Sequence, residues 1–513
     1  MNGARALVSA IAANGIDVCF ANPGTTELAL VDAMGKASNI RCVLGLFEGV
    51  CTGAADGYAR MLGRPAATLL HLGPGFANGI ANLHNARRAR SAVLNVIGDH
   101  ATWHLPFDAP LTSDIRSLAS PVSGHYAYLR DVATCLPDMS QAIDAAIGGA
   151  ISTLVVPTDF QEGEVGSGWI PRRATRPRST YDGTLIEAAA SALRAKRGSV
   201  ILLGSRALTA KGQQAAGAIA AATGSNVFAE TFPARWDRGG SIPVIPRFPY
   251  FPEQGIEVLK DASLVLLVGV TAPVAYFGKS GLPSELARPG TVLSLATRFD
   301  DAEEAIAALA HALNVKPSPE EKQSGPVLPA AGARMDPHVM ANTVAALLPE
   351  NSIVVVEGAT TTPHFFPAAA AGRSHTILTN TGGAIGQGMP VATGAALACP
   401  DRPVINLQAD GSGAYTLQSL WTQARERLNV VTILCANRSY GILRVEFERA
   451  NMDSGASISQ ALTRLDDPPL DWVALAKGFG VGAWRAHTAG ELAELLRVAA
   501  SAGGPFLIEA AMW

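Results

Sequence analysis

Asp410 and Asn437 have the residue types and the setting for metal chemistry. Asp410 stands in Ala409-Asp410-Gly411-Ser412-Gly413, after the apolar run Val404–Leu407. Asn437 stands in Asn437-Arg438-Ser439-Tyr440-Gly441, after a second apolar run, Val430–Cys435. Leu417–Arg427, between them, is helical in pattern. In a parallel strand–helix–strand unit both turns open at the carboxyl edge of one sheet, where ligands of α/β folds sit. A carboxylate, an amide oxygen and nearby carbonyls would then form a hard oxygen set, suited to Mg²⁺ shared with a phosphate group. A crossover whose turns are merely polar fits the same spacing.

Other residues could carry acid–base or anion chemistry. Glu48 follows the apolar run Val43–Phe47 and opens the Ala/Gly-rich segment Gly49–Arg60. It is either a helix-start acid favoured by the dipole or a poorly solvated catalytic carboxylate. His71 ends the run Ala66–Leu70, in HLGPGFANG. It reads as a structural cap of that strand or as a proton donor or carboxylate ligand at its edge. Gly73-Pro74-Gly75 would let backbone approach a ligand, but the segment is not the GxGxxG of a dinucleotide loop. Thr25, in Asn22-Pro23-Gly24-Thr25-Thr26-Glu27, can N-cap the next helix, meet a substrate, or both. His100 and His104 follow the strand Ala92–Ile97 at an i, i+4 spacing with no third ligand evident. Glu357-Gly358-Ala359-Thr360-Thr361, after Ile353–Val356, is a small-residue turn able to bind an anion through N–H groups.

These residues need sheets to position them. The chain has 513 residues, 48% hydrophobic and 16% charged, with a net charge of −3. That is room for about three domains with large cores, and it leaves no nucleic-acid footprint. The cluster Arg87-Arg88-Ala89-Arg90 reads as a solvated helix end. Six cysteines sit mostly inside apolar runs without metal-like spacing, so buried free thiols and a cytoplasmic location are expected. No signal peptide is read before the amphipathic N-terminal segment, and no apolar run reaches membrane-spanning length. Short apolar runs alternate with helical patterns in three stretches, giving an α/β fold with three doubly wound parallel sheets. The expected domains are 1–165, 185–315 and 338–513, joined by Val165–Thr184 and Pro317–Pro337.

Val404–Arg444 resembles the GDG-to-N motif by which thiamine-diphosphate (ThDP) enzymes hold Mg²⁺ and the cofactor's diphosphate. FEGVCTGAADGYAR is similar to the signature around the glutamate those enzymes share. The domain order is that of the acetolactate synthase and benzoylformate decarboxylase superfamily: pyrimidine-binding, middle, diphosphate-binding. By that resemblance Asp410 and Asn437 are metal ligands and Ser439 adds its backbone carbonyl. Gly411, Ser412, Ala359, Thr360 and Tyr440 contact the cofactor. Glu48 bonds N1′ of the aminopyrimidine. In Gly382–Pro390, Gly383 accepts from the 4′-amino group and Ile385 is the wedge that bends the cofactor, where core packing is the plainer role. His71 stands where benzoylformate-type decarboxylases carry a histidine and acetolactate synthases a hydroxyl residue. Thr25 matches a residue that meets the substrate carboxylate. The first Gly of GDG is Ala409 here, tolerable only at negative φ.

The implied activity is a ThDP- and Mg²⁺-dependent 2-oxo acid decarboxylase or carboligase, acetolactate synthase-like. One alternative is a benzoylformate-type decarboxylase giving an aldehyde; another is a non-catalytic binding or regulatory subunit on the same fold. FAD is not expected: Arg298-Phe299-Asp300-Asp301 is similar to a motif of FAD-binding members but lies too late in the middle domain. The expected partners are a small-molecule 2-oxo acid and further copies of the chain. A homodimer or homotetramer would share active sites between subunits, without nucleic acid or membrane.

Overall fold

Three parallel sheets organise the chain, seen in a computed structural model that describes residues 1–130, 135–165, 180–316 and 324–512. The first holds β1 (Val18–Asn22), β2 (Arg41–Leu44), β3 (Ala66–Leu70), β4 (Val93–Asp99), β5 (His125–Tyr128) and β6 (Ile151–Pro157). Their order is β2-β1-β3-β4-β6-β5. The next segment contributes β7 (Ser199–Leu203), β8 (Asn226–Ala229), β9 (Trp236–Arg238), β10 (Leu264–Val268) and β11 (Val292–Ala296). Four of these form the second sheet, β11-β10-β7-β8. The third holds β12 (Ser352–Glu357), β13 (His375–Thr379), β14 (Val404–Ala409), β15 (Val430–Ala436), β16 (Gly482–Ala486) and β17 (Phe506–Ala511). Its order is β16-β17-β15-β14-β12-β13-β9, with β9 antiparallel to β13.

β1, β3, β4, β6, β12, β14 and β15 are near-continuous apolar runs, as expected of strands covered on both faces. Each sheet has a central reversal of strand order, between β1 and β3, β7 and β10, and β12 and β14. Crevices at the carboxyl ends open at such reversals. β9 corrects the simple three-unit reading, because Trp236–Arg238 leaves the middle segment to edge the third sheet. The expected linker also ends earlier than read: Asp182 caps a helix, Gly183–Ala195, through Thr184 N–H. Linker residues 166–179, with Pro171, Arg172, Arg173, Pro177 and Arg178, and connector residues 317–323 lie outside the described residues.

The outer two sheets meet through the helices Glu48–Leu62 and Gly388–Ala398. Glycine makes the contact possible. A Cβ on Gly57 would lie 2.2 Å from Val391 O, and one on Gly394 1.8 Å from Ala54 O. A buried ion pair locks the crossing. Arg60 bonds Asp56 through Nε and Nη2 (2.8 and 2.6 Å) and donates to Thr379 O (2.7 Å). Gln387 Nε2 also reaches Asp56 (2.9 Å).

Candidate active site

At the third sheet's reversal the structure gathers Asp410, Asn437, Ser439, Tyr440, Thr360 and Gly411. Asp410 opens a short helical turn after β14, and its carboxylate is 3% exposed. It accepts the N–H of Gly411 (2.8 Å) and of Arg438 (2.6 Å). Arg438 adopts φ 53, which turns its N–H toward the carboxylate. Burial pushes the Asp410 carboxyl up to about 6, since no cation offsets its desolvation. Asn437 Oδ1 accepts the Ser439 N–H (3.2 Å), and the Ser439 hydroxyl is buried without a partner. A Cβ on Gly441 would touch both Thr360 Oγ1 and Asn437 Nδ2, so the loops after β12 and β15 converge. A Cβ on Gly411 would run into the Tyr440 ring, so only glycine fits beneath it. A buried acid without a cation, an orphaned hydroxyl and an amide oxygen fit a hard divalent cation bound with an oxyanion. Ala409 sits at φ −90, where its methyl costs no strain. Ser412 is buried and Ala359 exposed beside this cluster.

The loop 382–388 lies at the same edge and is held by a residue to which the sequence reading gave no role. Glu357 ends β12 and is buried. Its carboxylate accepts the N–H groups of Gly386 (2.8 Å), Gln387 (3.2 Å) and Gly388 (2.7 Å), at the start of the Gly388–Ala398 helix. Gln408 and Asn380 add side-chain amides. Glu357 is thus the anion of that helix N-terminus. The other side of the loop is clasped by the first domain. The carbonyls of Gly382, Ala384 and Gly386 meet His84, Asn85 and Asn82. Gly383 and Ile385 alternate with these in sequence, and the Gly383 N–H is held by Asn380 Oδ1 (2.8 Å). Gly383 has φ 81, and a Cβ there would strike the Tyr276 hydroxyl. Ile385 is 37% exposed, so core packing is not what it does. Exposed Tyr276, Phe277, Tyr415 and Leu443 supply apolar surface nearby.

Glu48, His71 and Thr25 occupy the carboxyl edge of the first sheet. Glu48 is the first residue of its helix, 9% exposed, and takes a bond from Asn78 Nδ2 (3.0 Å). Gly75, lacking a Cβ, leaves the room for its Oε1. HLGPGFANG is not a loop, because the helix Leu72–Ala89 starts directly after His71. Gly73, Pro74 and Gly75 therefore form its first turn, and glycine there admits the Glu48 carboxylate. His71 has a quarter of its side chain exposed, with Nδ1 2.8 Å from Glu27 Oε2. Thr25 is exposed in a 3₁₀ turn capped by Gly24; Thr26, one residue on, approaches His71 Nδ1 at 3.2 Å. Glu27, fully buried, was missed because a glutamate in a polar turn carries no pattern. The Asp99 carboxyl is pushed up by burial; it accepts from Tyr128 (2.9 Å) and the His100 N–H (2.8 Å). His100 and His104 stack edge to face, and no group of three metal-binding side chains exists among the described residues.

At the second sheet's reversal the Gly204 and Gly269 backbones touch. Glu230 fills the crevice beside them, accepting Arg298 Nη2 (2.9 Å) and the Ser205 N–H (3.3 Å). No helix among the described residues is long and apolar enough to cross a membrane.

The comparisons with known proteins bear on the family. Residues 1–117 match the thiamine pyrophosphate enzyme N-terminal TPP binding domain, and residues 359–510 the C-terminal TPP binding domain. The chain is 42% identical to the "Putative acetolactate synthase large subunit IlvX" of Mycobacterium tuberculosis, over 99% of this chain and 98% of that one. It is 30% identical to the benzoylformate decarboxylase of Pseudomonas aeruginosa, over 97% and 96% of the two chains. Among solved structures, the thiamine diphosphate-dependent 4-hydroxybenzoylformate decarboxylase of Rhodococcus jostii RHA1 superposes with a TM-score of 0.85. That match is 25% identical and covers 100% of this chain and 99% of that one. With both binding domains matched and near-full-length relatives, the chain belongs to the thiamine pyrophosphate enzymes, of the acetolactate synthase and benzoylformate decarboxylase type.

Proposed function

We propose that this enzyme is a ThDP- and Mg²⁺-dependent decarboxylase of 2-oxo acids with a bulky apolar side chain, of the benzoylformate type. The observation that carries the reading is His71: an imidazole at the first sheet's reversal, its Nδ1 engaged by Glu27 and a quarter of its side chain exposed. Such a group can hold a carboxylate or deliver a proton; a hydroxyl residue, suited to carboligation, does neither as well. The exposed apolar surface of Tyr276, Phe277 and Leu443 suits an aryl or long alkyl group better than a methyl.

Asp410, Asn437 and the Ser439 carbonyl would hold Mg²⁺, and Thr360, Ala359, Gly411, Ser412 and Tyr440 the diphosphate. Bound ThDP supplies a nucleophilic carbon that attacks 2-oxo acids and stabilises the charge left by CO₂ loss. Glu48 would share a proton with its pyrimidine ring, and Gly383 and Ile385 would orient it. The carbonyls of 382, 384 and 386 bond the chain's own first domain, and Gly383 and Ile385 would meet Glu48 of a second copy. The reading implies a homodimer or larger assembly with shared sites.

The test is CO₂ release from pyruvate, benzoylformate and longer 2-oxo acids, with acetolactate measured alongside. Preference for benzoylformate or a long-chain acid with aldehyde as product is expected. Acetolactate from pyruvate as the main product would overturn the reading in favour of the synthase.

A further inference from the structure

Glu27 belongs to no recognised part of the site, yet the fold makes room both for it and for the imidazole it meets. A Cβ on Gly98, at the end of β4, would fall 1.8 Å from Glu27 Oε1. A Cβ on Gly24 would fall 2.3 Å from His71 Nδ1. Gly24 lies at φ −120 and Gly98 is not in the left-handed region, so both positions require space rather than conformational freedom. The carboxylate so admitted is fully buried and meets three donors. Gly24 N–H reaches Oε2 at 2.7 Å, the Thr26 hydroxyl reaches Oε1 at 2.7 Å, and His71 Nδ1 lies 2.8 Å from Oε2. An ionised carboxylate only accepts, so the Nδ1 position must carry the proton. His71 Nε2 has no protein partner among the described residues.

We propose that Glu27 is a positioning residue: it takes the Nδ1 proton of His71 and thereby fixes the tautomer and ring orientation that present Nε2 to the substrate. The inference rests on the reading of His71 as the group that meets substrate. Glu27 touches no reacting atom; it acts through His71, as the carboxylate behind an imidazole does in other acid–base sites.

The experiment joins side-chain ¹⁵N NMR of histidine-labelled protein with a double-mutant cycle. Glu27→Gln keeps the volume and removes the obligatory pair of acceptors. The His71 signals, assigned by loss in His71→Ala, should show Nδ1 protonated in the parent and a shift toward the Nε2-protonated form in Glu27→Gln. Glu27→Ala should shift them further. Unchanged His71 signals in both variants would overturn the proposal. In kinetics, Glu27→Gln should lower decarboxylation by about ten- to a thousandfold in the parent, and by less than about twofold in the His71→Ala background. An equal factor in both backgrounds would show that Glu27 does not act through His71. If His71→Ala alone leaves turnover intact, the reading of His71 fails, while the NMR still decides whether Glu27 sets its tautomer.

Discussion

Asp410→Asn should stabilise the cofactor-free protein at neutral pH while destroying its capacity for metal and ThDP. Burial raises the Asp410 carboxyl from an ordinary 3.8 to about 6. A raised acid favours folding only while protonated: its contribution is complete below about pH 4 and is lost as pH climbs through about 6. The difference of about two pH units costs the apo fold about 3 kcal/mol above pH 7, at 1.36 kcal/mol per unit. An amide at this position escapes that cost. It keeps only one good acceptor for the Gly411 and Arg438 N–H groups, which takes back about 1 kcal/mol. The net expectation is a gain of about 2 kcal/mol at pH 7.5, shrinking to nothing or a small loss near pH 4. Calorimetric melts in EDTA of parent and variant, from pH 4 to 8, read the difference directly, since the background cancels. Excess Mg²⁺ and ThDP should then stabilise the parent alone, by about 2.7 kcal/mol at a hundred times Kd. A difference between the two proteins that does not change with pH would refute the argument. So would a variant less stable than the parent at pH 7.5.

Further outcomes follow from the same geometry. Arg60→Met strands the buried Asp56 carboxylate and should cost about 3–5 kcal/mol in urea unfolding, with much of it recovered in Arg60→Met/Asp56→Asn; an equal cost in the double variant would show that packing, not charge, dominates. Gly394→Ala drives a methyl into Ala54 O and should cost at least about 3 kcal/mol by separating the two crossing helices; a loss under about 1 kcal/mol would mean that the contact is slack. Ile385→Ala should change stability by less than about 1 kcal/mol, because the side chain is not in the core, yet lower kcat with ThDP still bound. A stability loss matching the activity loss would return Ile385 to ordinary packing.

The sequence made the buried strands and their edge residues legible for a physical reason. Val404–Leu407 and Val430–Cys435 are apolar but for Asn406 and Thr432, as suits a strand covered on both faces. The turns that follow are short, so Asp410 and Asn437 had little freedom but to meet. β5, β8 and β13 passed unnoticed because His125–Tyr128, Asn226–Ala229 and His375–Thr379 mix polar and apolar residues. β9 is three residues long and joins the sheet of another domain, a long-range pairing that no local pattern encodes. Glu27 and Glu357 were hidden for a related reason. Glu27 lies in a polar turn and Glu357 at a strand's end, and what makes each special is a partner brought from elsewhere in the chain: His71 for one, the N–H groups of 386–388 for the other. Motifs mark the residues that meet a ligand; the residues that aim those groups emerge only when the sheets are assembled.

Mixing two inactive chains tests most directly whether one site is built from the first and third domains of two copies. Glu48→Gln disables one half of the site and Asp410→Ala the other. If sites are shared between copies, equal mixing with full exchange puts half of the dimers in the mixed state, each with one intact site. Decarboxylation should then recover to about a quarter of the parent's. Recovery no greater than that of either inactive parent, with subunit exchange verified, would contradict the account and place both residues in the site of a single chain.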